Sequence, residues 1–304
     1  MSVYIDAAVF NDKGRIRKNN EDNLLFDGFS LRKDALDAGC SRQLNNYARI
    51  QYYAICDGMG GADAGEEASY CAVTELHNLT QHINGIHDVQ KICQGIQLIS
   101  DKVYAEACQR GTKSGTTMVL LAVQDGFART FHVGDSRIYA MREGILRQLT
   151  QDHSEVQRLV NMGVITQEEA KTHPKRHVIS QFLGMVPLEV RLSVAVSDPI
   201  PLQEGDWFLL CSDGLTDMIS DETIRETLKT SFDAASAAKA LVDEALEKGG
   251  RDNVTVICLH VKRRVLKSCA KEYWLQLIAL VLAGLSALSC ILLAVEWILR
   301  GTPI

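Results

Sequence analysis

The chain has 304 residues, 46% hydrophobic and 23% charged, an ordinary globular composition that excludes fibrous and disordered classes. Lysine and arginine number 32 against 38 aspartate and glutamate, a net charge of −6 without the basic footprint of a nucleic-acid binder. The nine cysteines include no C-x-x-C pair and read as reduced thiols of a cytosolic protein.

The opening MSVYIDAAVFNDKG has no basic stretch followed by an apolar one, so no signal peptide is expected. Apolar, β-branched runs predict strands over 3–10, 23–27 and 49–56. The stretches 64–83 and 88–110 repeat apolar residues at three- and four-residue spacing and predict two long helices. Strands follow over 117–123, 128–133 and 137–141, a meander with turns at Gly134-Asp135 and Glu143-Gly144. The polar stretch 152–187, helical in pieces and without a long apolar strand, reads as a mobile excursion from the core. Strands over 190–196 and 206–212 lead to helices over 221–229 and 233–248, with Asp221 and Asp233 as their caps, and to a last strand over 253–261. Strands in runs and helices in pairs favour segregated layers over a βαβ parallel sheet. Residues 1–261 read as one domain.

Composition changes once, at the end. Residues 275–295, LQLIALVLAGLSALSCILLAV, carry no charge. At ~1.5 Å per residue they reach ~31 Å, the hydrocarbon thickness of a bilayer. Trp274 and Trp297 bracket the run. The linker 262–274 holds Lys262, Arg263, Arg264, Lys267 and Lys271, whereas the tail 296–304 has only Arg300. A single-pass transmembrane helix over 275–295 is therefore expected, with the large domain on the cytoplasmic side of the inner membrane. A buried core helix is the alternative, and apolarity all round the helix argues against it.

Four aspartates share a context. Asp57 follows YYAIC, Asp135 follows RTFHVG, Asp213 follows WFLLCS, and Asp252 precedes NVTVICLHV. A carboxylate at the end of a buried strand is costly unless paired. Several converging would repel one another unless a cation sits among them. Oxygen ligands without a histidine or cysteine cluster point to Mg²⁺ or Mn²⁺. Asp-Gly is also a common turn dipeptide, so one Asp-Gly alone reads as a turn; four aspartates at strand boundaries together do not. The glycines of Asp57-Gly58-Met59-Gly60-Gly61 permit positive φ and close approach of the backbone to a ligand. Arg17 either pairs with nearby Glu21 and Asp22 or offers its planar fork to a phosphate. Cys56 and Cys211 lie in apolar strands and read as core.

Together these segments resemble the metal-dependent protein phosphatases, the type 2C serine/threonine phosphatases, and in particular their bacterial branch. The matching segments, in the family's order, are Arg17-x-x-Asn20-Glu21-Asp22, Asp57-Gly58-Met59-Gly60-Gly61 with Ala64-Gly65-Glu66, and Ser114-Gly115-Thr116-Thr117. They continue with Val133-Gly134-Asp135-Ser136-Arg137, Leu149-Thr150-x-Asp152-His153-Ser154, Arg176-His177-Val178, Cys211-Ser212-Asp213-Gly214-Leu215 and Asp252-Asn253-Val254-Thr255. The resemblance implies an α+β fold, a four-layer α-β-β-α sandwich of two antiparallel sheets flanked by helix pairs. It implies two Mn²⁺ or Mg²⁺ ions bridged by Asp57, with the Gly58 carbonyl on one and Asp213 and Asp252 on the other. Asp135 with Asp213 would hold a third ion, Glu21 and Asp22 would act mainly through water, and Arg17 would grip the substrate phosphate. The excursion at about 152–187 falls where the family carries its flap.

The implied activity is hydrolysis of phosphoserine and phosphothreonine on proteins by attack of a metal-bridging water, opposing a serine/threonine kinase. Animal members carry histidine where Met59 stands, and many bacterial members carry one at the position of Ala62; neither departure touches an implied ligand. Rival readings are an inactive binding module of the same fold, a phosphatase acting on an anti-anti-sigma protein, and a two-metal hydrolase of nucleotides or phosphodiesters.

Overall fold

The computed structural model of the protein describes residues 3–32, 35, 39–60, 64–186, 192–263, 288–289 and 291–296. The chain divides into two compact units, Met1–Arg263 and Arg264–Ile304. With elements numbered along the chain, the first unit contains two sheets. One has the order β10 (Ile145–Gln148), β9 (Arg137–Arg142), β13 (Trp207–Cys211), β14 (Val254–Arg263), β1 (Val3–Asp12) and β4 (Cys40–Asn46). The other runs β11 (Ala195–Val196), β8 (Phe127–Val133), β7 (Met118–Gln124), β5 (Ile50–Gly60), β2 (Asp22–Phe26) and β3 (Phe29–Ser30). The short β12 (Ile200–Pro201) adds to β8, and β6 (Ser114–Thr116) adds to β5. Every pairing is antiparallel.

Three apolar layers hold the sandwich. Between the sheets, Ile5, Ala7 and Val9 of β1 meet Tyr53 and Ile55 of β5, Leu121 of β7 and Phe208 of β13. Outside the second sheet, helices α1 (Ala64–Thr80) and α2 (Val89–Arg110) bury Leu76, Ile92 and Ile96 against Leu120 and Phe131. Outside the first sheet, α5 (Asp213–Thr216), α6 (Asp221–Thr230) and α7 (Ala234–Glu247) bury Leu215, Ile224 and Leu241 against Trp207 and Val256. Both faces of each sheet are thus covered. That is why β7 and β13 are buried at every residue and read as unbroken apolar runs rather than alternating ones. The expected four-layer arrangement is present.

Several expectations need correction. The strand expected over 190–196 reduces to Ala195–Val196, with 187–191 outside the described residues and 192–194 not in a strand. Strand β4 was not anticipated, because CSRQLNN is polar; it is an edge strand exposed through most of its length. Helix α6 is capped by Ser220, whose hydroxyl accepts from the Thr223 N–H, not by Asp221. Ser220 is the extended residue preceding the first turn, the position from which a side chain reaches that donor. Asp221 instead accepts from the Tyr139 hydroxyl at 3.0 Å. Asp233 caps α7 through a capping box, as expected. The 152–187 excursion contains α3 (Glu155–Asn161) and α4 (Gln167–Thr172). It is pinned at its root by a bridge between Ser154 and Ile179.

Of the expected membrane span 275–295, residues 275–287 and 290 lie outside the described residues. Of the second unit, residues 291–296 are helical. Among the described residues no helix is long and apolar enough to cross a membrane.

Candidate metal centre

Antiparallel register places Asp22 of β2 directly opposite Asp57 of β5. Like charges facing each other across a ladder destabilise it. Asp22 is fully buried. Its Oδ2 accepts from Ser212 Oγ at 2.7 Å and from Thr255 Oγ1 at 2.6 Å. Its Oδ1 is buried with no partner. Burial pushes the Asp22 carboxyl up to about 6, against the pull of the two hydroxyls, and the charges of Asp252 and Glu21 add to the rise.

The Asp57 backbone is gripped at both ends. Its N–H donates to Thr117 Oγ1 at 3.0 Å, and its carbonyl accepts from the Thr117 N–H and the Thr116 hydroxyl, both at 2.8 Å. Its carboxyl is held well above the usual range, first by burial and then by Asp22, Asp213, Asp135 and Asp252. Of the glycines after it, the two described ones use the close approach and not the positive φ that the sequence allowed. Gly58 and Gly60 continue β5 along β6, and neither has a positive φ. Glycine is needed at 58 for closeness: a Cβ there would stand 2.1 Å from the Gly65 carbonyl oxygen and 2.6 Å from that of Glu21. This approach brings the first turn of α1 to the cleft, where the Gly65 N–H donates to the Glu21 carboxylate. Burial nonetheless raises Glu21. Gly61 and Ala62 lie outside the described residues.

Asp135 leaves a turn at Gly134, whose φ is +107°. Ser136 beside it shares a 2.7 Å hydrogen bond with Thr117, so one threonine ties the turn to the Asp57 strand. Burial, then Asp152, pushes the Asp135 carboxyl up to about 7. Asp213 opens α5 and Asp252 stands just before β14. These two chain segments touch so closely that a Cβ on Gly214 would be 1.9 Å from the Asn253 carbonyl oxygen. Asp213 is held well above the usual range by burial and by Asp135, Asp252, Asp217 and Asp22.

Arg17 pairs neither with Glu21 nor with Asp22, as proximity in sequence had suggested. Its Nη2 lies 2.6 Å from Asp252 Oδ2, a partner 235 residues away. Burial alone would lower the guanidinium; the hydrogen bond and charge of Asp252, with Glu21 and Asp213 behind it, raise it instead.

Arg17, Glu21, Asp57, Gly58, Asp135, Asp213 and Asp252 all line one cleft of about 1240 Å³, and Asp22 lies buried beneath them. Other groups, quoted in the sequence only as members of the matching segments, gain a role here. Asn253 accepts from the Glu21 N–H and donates to the carbonyls of Lys13 and Asn19, fixing the chain that carries Arg17. Arg137 forks onto Asp152 at 2.7–3.1 Å. Among the described residues, the one group of three or more ligand-type side chains with all ligand atoms within 4.8 Å is His177, Asp213 and Asp217. Asp217, the C-cap of α5 four residues after Asp213, was not singled out in the sequence, and His177 was quoted only within a matching segment. The residues fit hard divalent cations. The main donors are all oxygen, they repel one another, and a fully buried carboxylate oxygen has no other partner.

Comparison with known proteins agrees. The family described as Protein phosphatase 2C matches residues 30–249. The chain is 34% identical over 263 residues to the serine/threonine protein phosphatase PstP of Mycobacterium tuberculosis, covering 86% of this chain but only 46% of that relative. It thus spans about half of that protein's length. With the serine/threonine phosphatase stp of Listeria monocytogenes it is 33% identical over 252 residues, 81% of this chain and 92% of the relative. The catalytic domain of serine threonine protein phosphatase PstP, solved with two manganese ions, superposes with a TM-score of 0.68 at 32% identity, covering 86% of this chain and all of that one. Ordered motifs, two-sheet sandwich and carboxylate cleft all lead to one conclusion: the chain belongs to the protein phosphatase 2C family.

Proposed function

We propose that the chain hydrolyses phosphoserine and phosphothreonine on proteins in a reaction that needs Mn²⁺ or Mg²⁺. The observation that carries this reading is the convergence of Asp22, Asp57, Asp135, Asp213 and Asp252 on one cleft edged by Arg17. Asp57, Gly58, Asp213 and Asp252 would hold two ions, Asp135 with Asp213 a third, and Glu21 and Asp22 would act mainly through water. Ions held there supply a water of lowered pKa and neutralise charge on the phosphoryl oxygens. Arg17, half exposed at the rim, would exchange Asp252 for the substrate phosphate, which its fork suits. The reaction does not require a cysteine nucleophile: among the described residues none lines the cleft, Cys56 and Cys211 are fully buried, and burial raises both thiols, Cys211 to about 12.

The test is hydrolysis of a phosphothreonine peptide with Mn²⁺, with chelator, and by Asp57→Asn. Turnover that needs the metal and is lost in the variant is expected. Turnover unaffected by chelator would overturn the reading.

The same reading takes residues 1–261 as the catalytic domain, with a flap at about 152–187, and 262–274 as a basic linker. Residues 275–295 form a single membrane span, 296–304 a short tail, and the catalytic domain faces the cytoplasm from the inner membrane. Its support is the uncharged 21-residue run and the five basic residues before it. The substrates are phosphoproteins, and a serine/threonine kinase that modifies them is the opposing partner. Reporter fusions at both ends test the topology; export of an N-terminal reporter would reject it.

A further inference from the structure

The rim that carries Arg17 is built from two turns fastened back to back. Arg15 N–H donates to the Gly250 carbonyl at 2.7 Å. Asn253 Nδ2 donates to the carbonyls of Lys13 and Asn19 at 2.8 and 2.9 Å. The turns press together at Gly14, whose φ is +82° and where a Cβ would stand 2.1 Å from the Asp252 carbonyl oxygen. Residues 12–18 and 248–252 therefore share one backbone support, and their charged side chains are displayed from fixed positions.

The charge of this rim runs against that of the chain. The two segments hold Lys13, Arg15, Arg17, Lys18, Lys248 and Arg251 against Asp12 and Asp252, in a chain of net charge −6. Arg17 is paired with Asp252, and Lys248 with Glu244 at 3.1 Å. Arg15, Lys18 and Arg251 are exposed, and their side chains have no ion-pair or hydrogen-bond partner among the described residues. Arg251 lines the cleft together with Arg17. Ile16, between Arg15 and Arg17, is 69% exposed. Guanidinium forks held on a firm support suit carboxylates, which they can grip with two hydrogen bonds at once. An apolar side chain among them suits a polypeptide. The occupant is fixed by continuity: a peptide whose phosphate lies at Arg17 must run on across residues one or two positions from Arg17 and across Arg251 beside it.

We propose that this rim selects substrates by charge, and that Arg15 and Arg251 are specificity-determining residues that pair with carboxylates a few positions from the phosphorylated residue. The preferred substrates are then phosphoproteins modified within acidic segments. The proposal rests on the phosphatase reading and names the substrate class of the same site. Metal must be present for the preference to show, because the bare carboxylates of the cleft floor repel an acidic peptide.

Two phosphothreonine peptides of equal length test it, one flanked by Asp and Glu, the other by Asn and Gln at the same positions. With the full chain and Mn²⁺, kcat/KM for the acidic peptide should exceed that for the neutral one about 5- to 30-fold, chiefly through KM. Added salt should shrink the ratio, since these contacts are exposed. Arg15→Gln combined with Arg251→Gln should bring the ratio below about 2 and leave the neutral peptide within about twofold of its original kcat/KM. Fluorescence anisotropy of the same peptides, labelled, on the Asp57→Asn chain in Mn²⁺ should show the same preference as binding, without turnover. A ratio below about 2 for the unmodified chain in both assays, or a ratio that survives both arginine substitutions, would overturn the proposal. Failure of the unmodified chain to hydrolyse either peptide would count against the phosphatase reading, whereas equal hydrolysis of the two would count against the proposal alone.

Discussion

Arg17 and Asp252 set the balance at the rim of the centre. In this structure they hold each other, so the residue best suited to a phosphate and a candidate metal ligand compete for one contact. Arg17→Ala removes a charge-assisted contact to the substrate and also frees Asp252. Its expected effect is a KM for phosphopeptide raised about 10- to 100-fold, with kcat less affected. Steady-state kinetics check this. A Mn²⁺ titration of the same variant should show tighter binding, because Asp252 no longer has a competing cation; weaker binding would contradict the assignment. Asp57 is the opposite case. It feels four other carboxylates, and Asn keeps its shape without its charge. Turnover by Asp57→Asn should fall about a thousandfold or more, the loss of several kcal/mol of transition-state stabilisation.

At the scale of elements, β5 does two jobs. Residues 50–57 pair with β2 and β7, and residues 58–60 pair with β6; Asp57 and Gly58, at the change of partner, reach the cleft. The change of partner happens where backbone meets backbone. Gly58→Ala puts a methyl against the Gly65 and Glu21 carbonyls, neither of which is a flexible side chain. An overpacking cost of about 1–3 kcal/mol is expected, at about 2–4 °C of Tm per kcal/mol for a unit of this size. Thermal melts of the variant check this, and a variant as stable as the parent would show that the crossing relaxes freely. The three glycines and their aspartate were readable from sequence; the reason for glycine was not. A Gly-rich run looks like a loop wherever the chain that presses on it, here residues 21 and 65, is unknown. Strand β4 was hidden for a related reason. Its support is mainly the backbone ladder with β1; only Cys40 and Leu44 pack on the core between the sheets, too few apolar residues to give a periodic signal.

Across the whole first unit, folding itself gathers the charge. Asp22, Asp57, Asp135, Asp213 and Asp252 come from both sheets, so closing the sandwich concentrates like charges in one cleft. The Asp22 and Asp135 carboxyls sit at about 6 and about 7 in the fold against roughly 3.9 unfolded. Between about pH 4 and pH 7 the folded chain therefore binds more protons than the unfolded one, and stability falls as pH rises through that window. In chelator, Tm should drop from pH 5 to pH 7.5; excess Mn²⁺, which favours the ionised form of the same groups, should remove the drop. A Tm in chelator that holds or rises over that range would contradict the carboxylate clustering. Strand β14 relates this cleft to the rest of the unit. It starts two residues after Asp252 and runs ten residues to Arg263, about 33 Å, so the chain leaves the sandwich at the end far from the cleft.

Apolar periodicity and ordered motifs were enough to read the layers, the two long helices on the second sheet, and the identities of the cleft residues. Strand and helix patterns are local, and a carboxylate at a strand boundary is visible in a single line of sequence. Which carboxylate Arg17 meets, which hydroxyls hold Asp22, and that His177 faces Asp213 and Asp217 were decided only when the sheets closed. These contacts join residues from 36 to 235 positions apart. Their distances follow from strand register and layer packing, to which no short stretch of chain commits.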